Sequence, residues 1–428
     1  MPNRRARIRV ARRFGMLGMR PVVRPRGVFV SAGQATRFRH PTIRGSDLKL
    51  AVDETYMREA LALAERGAGR TRPNPQVGAV VVKGGKVVGR GWHAKLGAPH
   101  AECAAITDAG TRARGATVYV NLEPCVHEGR TPPCVPKLLD ARVKRVVVAH
   151  EDPDPRVSGR GVRWLEREGV EVVLGVLEDE ARALNAGYLS AHERGRPKVA
   201  LKVASSLDGR VAPAKGGARW ITGEASRRAA HALRARHDTI VVGANTVRQD
   251  DPQLTVRGGR KGLRQPLRVV VSASLELPQR AKLFGKALAR GTVVATLAPE
   301  ELPQKARRAH ELKAARLARR GVSIWFLPRG EGGVALDVLF GRLAAEDRHD
   351  VLVEGGPTLG ARLADLQLVD ELWLFVAPKL LGEGGRTWGF GSKPTSLKGG
   401  WALEPALMLP VGEDLVVYGR PARNGRGR

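Results

Sequence analysis

Only three cysteines, Cys103, Cys125 and Cys134, stand in 428 residues. A count so low and odd argues against a disulfide framework. The N-terminus lacks a continuous apolar core followed by a small-residue cleavage site, which argues against secretion. A reducing cytoplasm is the expected location, and there free thiols more often serve a metal or catalysis. Long apolar runs are missing too. The stretch ending Val146-Val147-Val148-Ala149 falls far short of the roughly 20 residues that cross a bilayer, so no membrane partner is expected. Aromatic residues are only 4% of the chain, and no basic stripe is interleaved with them. Nucleic-acid sites normally add stacking rings to their charge, so a nucleic-acid partner is not expected. Positions 1–46 contain no acidic residue.

What is present is positive charge, a formal net of +31, and twelve arginines fall within positions 1–46. A basic surface attracts polyanions and phosphorylated metabolites alike. A solvated arginine-rich surface is the plainest account of the remainder. Residues 1–46 carry Arg, Gly and Pro with little apolar periodicity and read as a disordered basic extension. A transit peptide, a nucleic-acid-binding arm and a misplaced start would all look alike here. The last is preferred, because Val52-Asp53-Glu54-Thr55-Tyr56-Met57 looks like the opening of a compact domain and Val52 could serve as initiator.

The length suits two or three domains. From Asp53, the residues Met57, Ala60, Leu61 and Ala64 recur at helical spacing and stop near Gly67. Val77 to Val82 and Lys86 to Val88 read as strands around Gly84-Gly85. A helix is expected after Pro99, a strand at Ala116 to Val120, a helix through Lys137 to Ala141 and a strand at Arg145 to Ala149. Such alternation implies a layered α/β domain. A boundary falls near Glu193-Arg194-Gly195-Arg196-Pro197. Beyond it, strands are expected at Lys198 to Val203, Thr239 to Val242, Leu267 to Val271, Thr292 to Thr296, Val322 to Leu327 and Val351 to Val353, with helices between several of them. Lys305 to Arg320 reads as a basic amphipathic helix with a solvated outer face. The domains expected are 47–195 and 196–422, with a basic tail at 423–428.

Chemistry concentrates in the first half. His100-Ala101-Glu102 precedes Pro124-Cys125 and Cys134. A deaminating zinc site needs three protein ligands and an open position for water, and His100, Cys125 and Cys134 supply the ligands. It also needs a carboxylate that shuttles protons without binding metal, which Glu102 supplies as the catalytic residue. Zinc brings the pKa of its water to roughly 7, so hydroxide becomes available at neutral pH. The alternative is a closed structural site with His127 as fourth ligand, in which Glu102 would have no task. Cys103 reads as a small buried residue.

The run Thr71-Arg72-Pro73-Asn74-Pro75-Gln76-Val77-Gly78 is similar to the opening signature of riboflavin-specific pyrimidine deaminases. So are Gly91-Trp92-His93 through Pro99-His100-Ala101-Glu102 and Leu122-Glu123-Pro124-Cys125 through Gly129-Arg130-Thr131-Pro132-Pro133-Cys134. Eight residues separate Cys125 from Cys134, where general cytidine and transfer-RNA deaminases have two. The resemblance implies a cytidine-deaminase-like three-layer domain in which Asn74, His93, Arg130 and Thr131 hold a phosphorylated aminopyrimidine. Leu96 departs from the family's usual Ala.

In the second half stand Lys202 through Arg210, Arg219-Trp220-Ile221-Thr222-Gly223, Val242 through Val247, Asp250 through Arg257 and Val353-Glu354-Gly355-Gly356-Pro357. Paired glycines after a strand let backbone amides approach a phosphate, although an ordinary turn looks the same. No Gly-x-Gly-x-x-Gly fingerprint opens this half, which counts against a standard dinucleotide-binding unit. The order of these motifs resembles the reductase half of the bifunctional riboflavin-biosynthesis family, which implies a dihydrofolate-reductase-like domain. By motif position the resemblance places NADPH at Ala204, Trp220, Thr246, Asp250, Gly355 and Gly356. It places the substrate at Ala218, Arg234, Leu254, Arg257 and Glu354, with Ala218 standing where the family often has a polar residue. The whole chain is thus expected to need Zn2+ and NADPH and to act on phosphorylated pyrimidines. It is also expected to form a homo-oligomer through the reductase domain. A nucleic-acid base deaminase is one rival, opposed by the cysteine spacing and by the second domain; a non-enzymatic basic protein with structural zinc is the other, which changing Glu102 to Gln separates.

Overall fold

Ala79 and Val81 of β1 (Gly78–Lys83) face one side of their sheet, and Val80 and Val82 face the other, as strand geometry requires. Both sides are apolar, so both must be covered, and helices cover them. The computed structural model describes residues 45–129, 131–213, 220–257, 264–391, 396 and 400–423. These form two compact units divided between Leu189 and Ser190. The expected disorder of positions 1–44 and the basic tail from 424 lie outside the described residues, as do Arg130 and Ala218.

In the first unit, α1 (Gly45–Ala64) precedes β1 and β2 (Lys86–Trp92). Then come α2 (Ala101–Ala109), β3 (Thr117–Val120), α3 (Cys134–Asp140), β4 (Arg145–Val148), α4 (Arg160–Arg167) and β5 (Glu171–Leu174). Two short helices, α5 (Glu178–Leu184) and α6 (Ala186–Arg194), follow, and α6 spans the division between the units. The sheet runs β2-β1-β3-β4-β5, antiparallel across the first two pairings and parallel across the last two. Met57, Ala60 and Leu61 of α1 cover one face, and Ala101, Ala105, Leu138 and Leu165 cover the other. A three-layer α/β/α domain results.

Helix α1 begins at Gly45, eight residues before the expected Asp53. The added residues Leu50 and Val52 are exposed, at 51% and 46%, so no apolar stripe marks that stretch in the sequence. Pro99 lies ahead of α2 rather than in its first turn, and His100 is the N-cap. Strand β2 runs four residues past Val88 because Gly89 and Gly91 let α2 lie directly on it. A Cβ on Gly91 would stand 2.2 Å from the Ala101 carbonyl oxygen.

The second unit contains β6 (Lys198–Ser206), β7 (Arg210–Ala212), α7 (Glu224–Arg236), β8 (Thr239–Gly243), α8 (Ala244–Asp250) and β9 (Leu267–Val271). It continues through β10 (Thr292–Leu297), α9 (Gln304–Ala318), β11 (Ser323–Leu327), the small hairpin β12 (Arg329–Gly330) and β13 (Gly333–Val334), and α10 (Leu336–Ala345). It ends with β14 (Asp350–Glu354), α11 (Pro357–Asp365), β15 (Glu371–Ala377), β16 (Arg386–Thr387), β17 (Trp401–Val411) and β18 (Asp414–Arg423). The large sheet runs β11-β10-β9-β8-β14-β6-β15-β18-β17, parallel from β11 to β15 and antiparallel at the β18 and β17 end. Ala229 and Leu233 of α7 with Ala314 and Leu317 of α9 cover one face. Leu339, Phe340, Leu359 and Leu363 of α10 and α11 cover the other. Among the described residues, no helix is long and apolar enough to cross a membrane.

Candidate active sites

The first site is assembled at the N-terminal ends of two helices, α2 and α3, and in the loop that joins β3 to α3. His100 ends the loop into α2, and Glu102 sits in the first turn of that helix with only 3% exposure. Cys125 follows β3, and Cys134 opens α3. The Cys125 carbonyl accepts the amides of Cys134 and Val135 at 3.1 and 3.3 Å, so the first cysteine's backbone caps the helix that begins with the second. Nδ1 of His100 lies 3.3 Å from Cys134 Sγ and 3.5 Å from Cys125 Sγ. Among the described residues, these three donors form a cluster whose ligand atoms all lie within 4.8 Å of one another, and His127 is not part of it. One nitrogen and two sulfurs in that space fit a tetrahedral zinc with a fourth position left open.

The electrostatics follow from the crowding. A hydrogen bond with Cys134 lowers the Cys125 thiol to about 4, with His100 helping and burial opposing. The Cys125 hydrogen bond in turn lifts His100 to about 9, against burial. Burial pushes Glu102 up to about 7, a push reinforced by Cys125 and opposed by His100. Cys103 is half-buried rather than buried as expected, and its Sγ lies 3.9 Å from Cys134 Sγ.

Around the cluster, Thr131 Oγ1 lies 3.1 Å from His100 Nε2, and the His93 ring meets the His100 ring edge-on at 5.4 Å. His93 is buried; its Nδ1 lies 3.2 Å from the Pro99 carbonyl and its Nε2 lies 3.3 Å from Asn74 Nδ2. Asn74, His93 and Thr131 are therefore gathered about the metal ligands. Glu123 had no assigned role. Its carboxylate accepts four backbone amides, from Asp152, Gly159, Gly161 and Val162, at 2.8 to 3.1 Å, and so anchors the strand end that leads to Cys125. The Glu-Pro-Cys order was visible in the sequence, but the loop it binds lies about thirty to forty residues away.

The second site centres on an ion pair. Arg234 of α7 donates to both oxygens of Glu354, Nε to Oε1 at 2.5 Å and Nη2 to Oε2 at 2.8 Å, and its Nη1 donates to the Thr255 carbonyl at 3.3 Å. Lys202, inside β6, faces Glu354, Arg234 and Asp250, and burial lowers its pKa. Burial raises the Glu354 pKa, but Arg234 and Lys202 outweigh it, and the net shift is downward. Motif order alone gives Lys202 no role; a lysine inside the apolar run Val199 to Ala204 is the signal that marks it.

Thr246 and Asp250 lie on α8, and Gly356 is the N-cap of α11. Ala204 pairs in register with Phe375. Trp220 is exposed, with the Arg227 guanidinium 5.6 Å from its ring centroid. The exposed Arg257 donates to Gln253 and lies 3.4 Å from Thr255 Oγ1. Leu254 has a positive φ of 50°, and its side chain is packed in the core, so any contact it makes with a ligand falls to its backbone.

Residues 197–417 match the family model described as the RibD C-terminal domain, and residues 50–150 match the cytidine and deoxycytidylate deaminase zinc-binding region. The riboflavin biosynthesis protein RibD of Aquifex aeolicus is 41% identical over 86% of this chain and 98% of its own length. That of Escherichia coli is 41% identical over 78% and 90%. The solved structure of Acinetobacter baumannii RibD is 38% identical, with a TM-score of 0.77 over 87% of this chain and 99% of that one. A Thermotoga maritima structure, described as a diaminohydroxyphosphoribosylaminopyrimidine deaminase and phosphoribosylaminouracil reductase, is 33% identical with a TM-score of 0.73. With a deaminase domain and a reductase domain matched in order along one chain, this protein belongs to the bifunctional RibD family of riboflavin-biosynthesis enzymes.

Proposed function

We propose that the first unit removes the 2-amino group of a diaminopyrimidine ribosyl phosphate by hydrolysis. The second unit then uses NADPH to reduce the ribosyl group of the resulting aminouracil phosphate to ribityl. The observation that carries the first half is the convergence of His100, Cys125 and Cys134 beside the buried Glu102. Zinc held by those three donors supplies Lewis-acid activation of water near neutral pH. Glu102 takes a proton from the attacking water at its carboxylate and delivers protons to the ring nitrogen and the leaving amine. Asn74, His93, Arg130 and Thr131 hold the pyrimidine and its phosphate. Substitution of Glu102 by Gln is expected to lower ammonia release about a hundredfold to ten-thousandfold with zinc retained, and to leave reduction of the deaminated intermediate intact. Undiminished ammonia release with zinc bound would remove Glu102 from this role.

In the second unit NADPH supplies the hydride, and the protein aligns and shields it. Ala204, Trp220, Thr246, Asp250 and the Gly355-Gly356 turn hold the cofactor. The nine-residue helix α11 begins at that turn and offers its N-terminal amides to a phosphate. Arg257 takes the substrate's sugar phosphate through its forked donors; Arg234, whose Nε and Nη2 hold Glu354, offers the N–H bonds left on Nη1 and Nη2, and Ala218 and Leu254 contribute backbone contacts. Glu354 orients Arg234 and borders the sugar. A homo-oligomer through the reductase unit and a cytoplasmic location complete the reading.

A further inference from the structure

The segment that carries Asn74 enters β1 without a strand partner for the peptide at Gln76, and two buried side-chain amides take the place of one. Asn185 Oδ1 accepts the Gln76 amide at 2.8 Å, and Asn185 Nδ2 donates to the Gln76 carbonyl at 3.0 Å. From the other side, Asn121 Nδ2 donates to the same carbonyl at 3.0 Å, and Asn121 Oδ1 accepts the Gly78 amide at 2.8 Å. Asn121 is 0% exposed and Asn185 4%. Each amide offers a donor and an acceptor side by side, as a neighbouring peptide group would. Asn121 directly follows β3, whose Val120 pairs with Ala79, so its side chain prolongs that ladder by one step. Asn185 stands between α5 and α6, outside the stretch 50–150 that matches the deaminase zinc-binding region.

The clamp acts two residues from Asn74. Asn74 Nδ2 lies 3.3 Å from His93 Nε2, the His93 amide donates to the Val77 carbonyl at 2.9 Å, and the His93 ring rests against His100. Gln76 is therefore the point through which Asn74 and His93 are held in one geometry.

We infer that Asn185, acting with Asn121, is a positioning residue of the deaminase: it fixes the Gln76 peptide and through it the Asn74–His93 contact beside the metal ligands. This rests on the reading of Asn74 as a substrate contact. Leaving the half-buried Gln76 amide without its side-chain acceptor lets the loop populate other arrangements, and an enzyme that binds substrate only from a fraction of its population shows weaker apparent affinity. Such a loss appears in KM and not in kcat, because the chemistry of the bound complex is untouched.

The test uses the full-length zinc-loaded enzyme with the aminopyrimidine ribosyl phosphate as probe. Asn185→Ala is expected to raise the deaminase KM roughly tenfold or more while leaving kcat, zinc content and reductase rate near wild type. Asn185→Asp keeps the side-chain volume but loses the donor to Gln76, and it is expected to raise KM as well; it decides the matter if the alanine variant fails to fold. Unchanged KM in the variants, or a loss confined to kcat or to zinc content, overturns the inference and leaves the proposed activity standing. A wild-type enzyme that releases no ammonia from this probe fails the underlying activity and the inference with it.

Discussion

Arg234 and Arg257 illustrate how two arginines assigned to one substrate can differ in what they are free to do. Both oxygens of Glu354 hold Arg234 in a bidentate pair, with side-chain exposures of 17% and 13%. Arg257 is exposed, and among the described residues it donates to Gln253 and Thr255. A guanidinium fixed by its carboxylate and an exposed one meet at the same residue, Thr255, the first at its carbonyl and the second at its hydroxyl, and together suit a phosphate that arrives from solvent and is then fixed in place. Arg257→Ala is expected to raise the reductase KM for the deaminated substrate roughly tenfold to a hundredfold, the cost of one charge-assisted contact, with the KM for NADPH near wild type. Steady-state kinetics with each substrate varied in turn checks this, and equal losses in both would count against the assignment. The zinc ligands and Glu102 were legible because each lies within a short contiguous motif. Asn185 was not, since its partner Gln76 is 109 residues away and an asparagine between two helices reads as an ordinary cap. Leu254 shows the reverse limit: motif position identified it, but only packing shows that its side chain belongs to the core.

At the scale of elements, α1 is the one whose placement was least visible. Its first turns present exposed residues, yet its register on the sheet is fixed by charge. Asp53 accepts both Nη1 and Nη2 of Arg145 on β4 at 2.8 Å and the Tyr119 hydroxyl of β3 at 2.9 Å. Arg145 also reaches Glu171 of β5 at 2.9 Å. A helix and three strands thus meet at the Asp53–Arg145 pair. Burial raises the Asp53 pKa, but Arg145 and Tyr119 outweigh it, and the net shift is downward from 3.8. A carboxylate whose folded pKa lies below its unfolded value stabilises the fold above the unfolded pKa and loses that contribution as pH falls through the folded one. The first unit is therefore expected to keep this contribution at neutral pH and to shed it below about 3.8, a loss that calorimetry across an acid series would follow. Arg145→Ala leaves the aspartate buried without its cation and is expected to cost about 3–5 kcal/mol of unfolding free energy in urea titration. A cost below about 1 kcal/mol would show the pair to be dispensable. Strands β15, β17 and β18 went unseen for a different reason. Pro410 interrupts the pattern of β17, and it is tolerated because, among the described residues, β17 is the last strand of its sheet with a partner on one side.

Across the whole chain, the sequence showed two chemistries and a boundary near residues 193–197, while the backbone divides at Leu189/Ser190, inside α6. A boundary within a helix has no turn to mark it, so Gly195 and Pro197 point instead to the loop beyond it. His100, Cys125, Cys134 and Glu102 all lie in the first unit, and Lys202, Arg234, Arg257 and Glu354 all lie in the second. The metal is therefore linked by mass action to the folding of one unit alone. An ion that binds only the folded form stabilises it by RT ln(1 + [L]/Kd), about 4 kcal/mol when free metal exceeds Kd a thousandfold. Stripping zinc with a chelator is expected to abolish ammonia release and to lower the melting transition of the first unit. NADPH oxidation on the deaminated intermediate is expected to continue at its original rate, and the second transition is expected to stay where it was. Calorimetry and the two assays on one chelated sample decide between this and a chain whose halves fold as one. Loss of both activities together, or a single transition that moves as a whole, would tie the reductase to the metal centre. In that event the division of labour would no longer follow the division of the backbone.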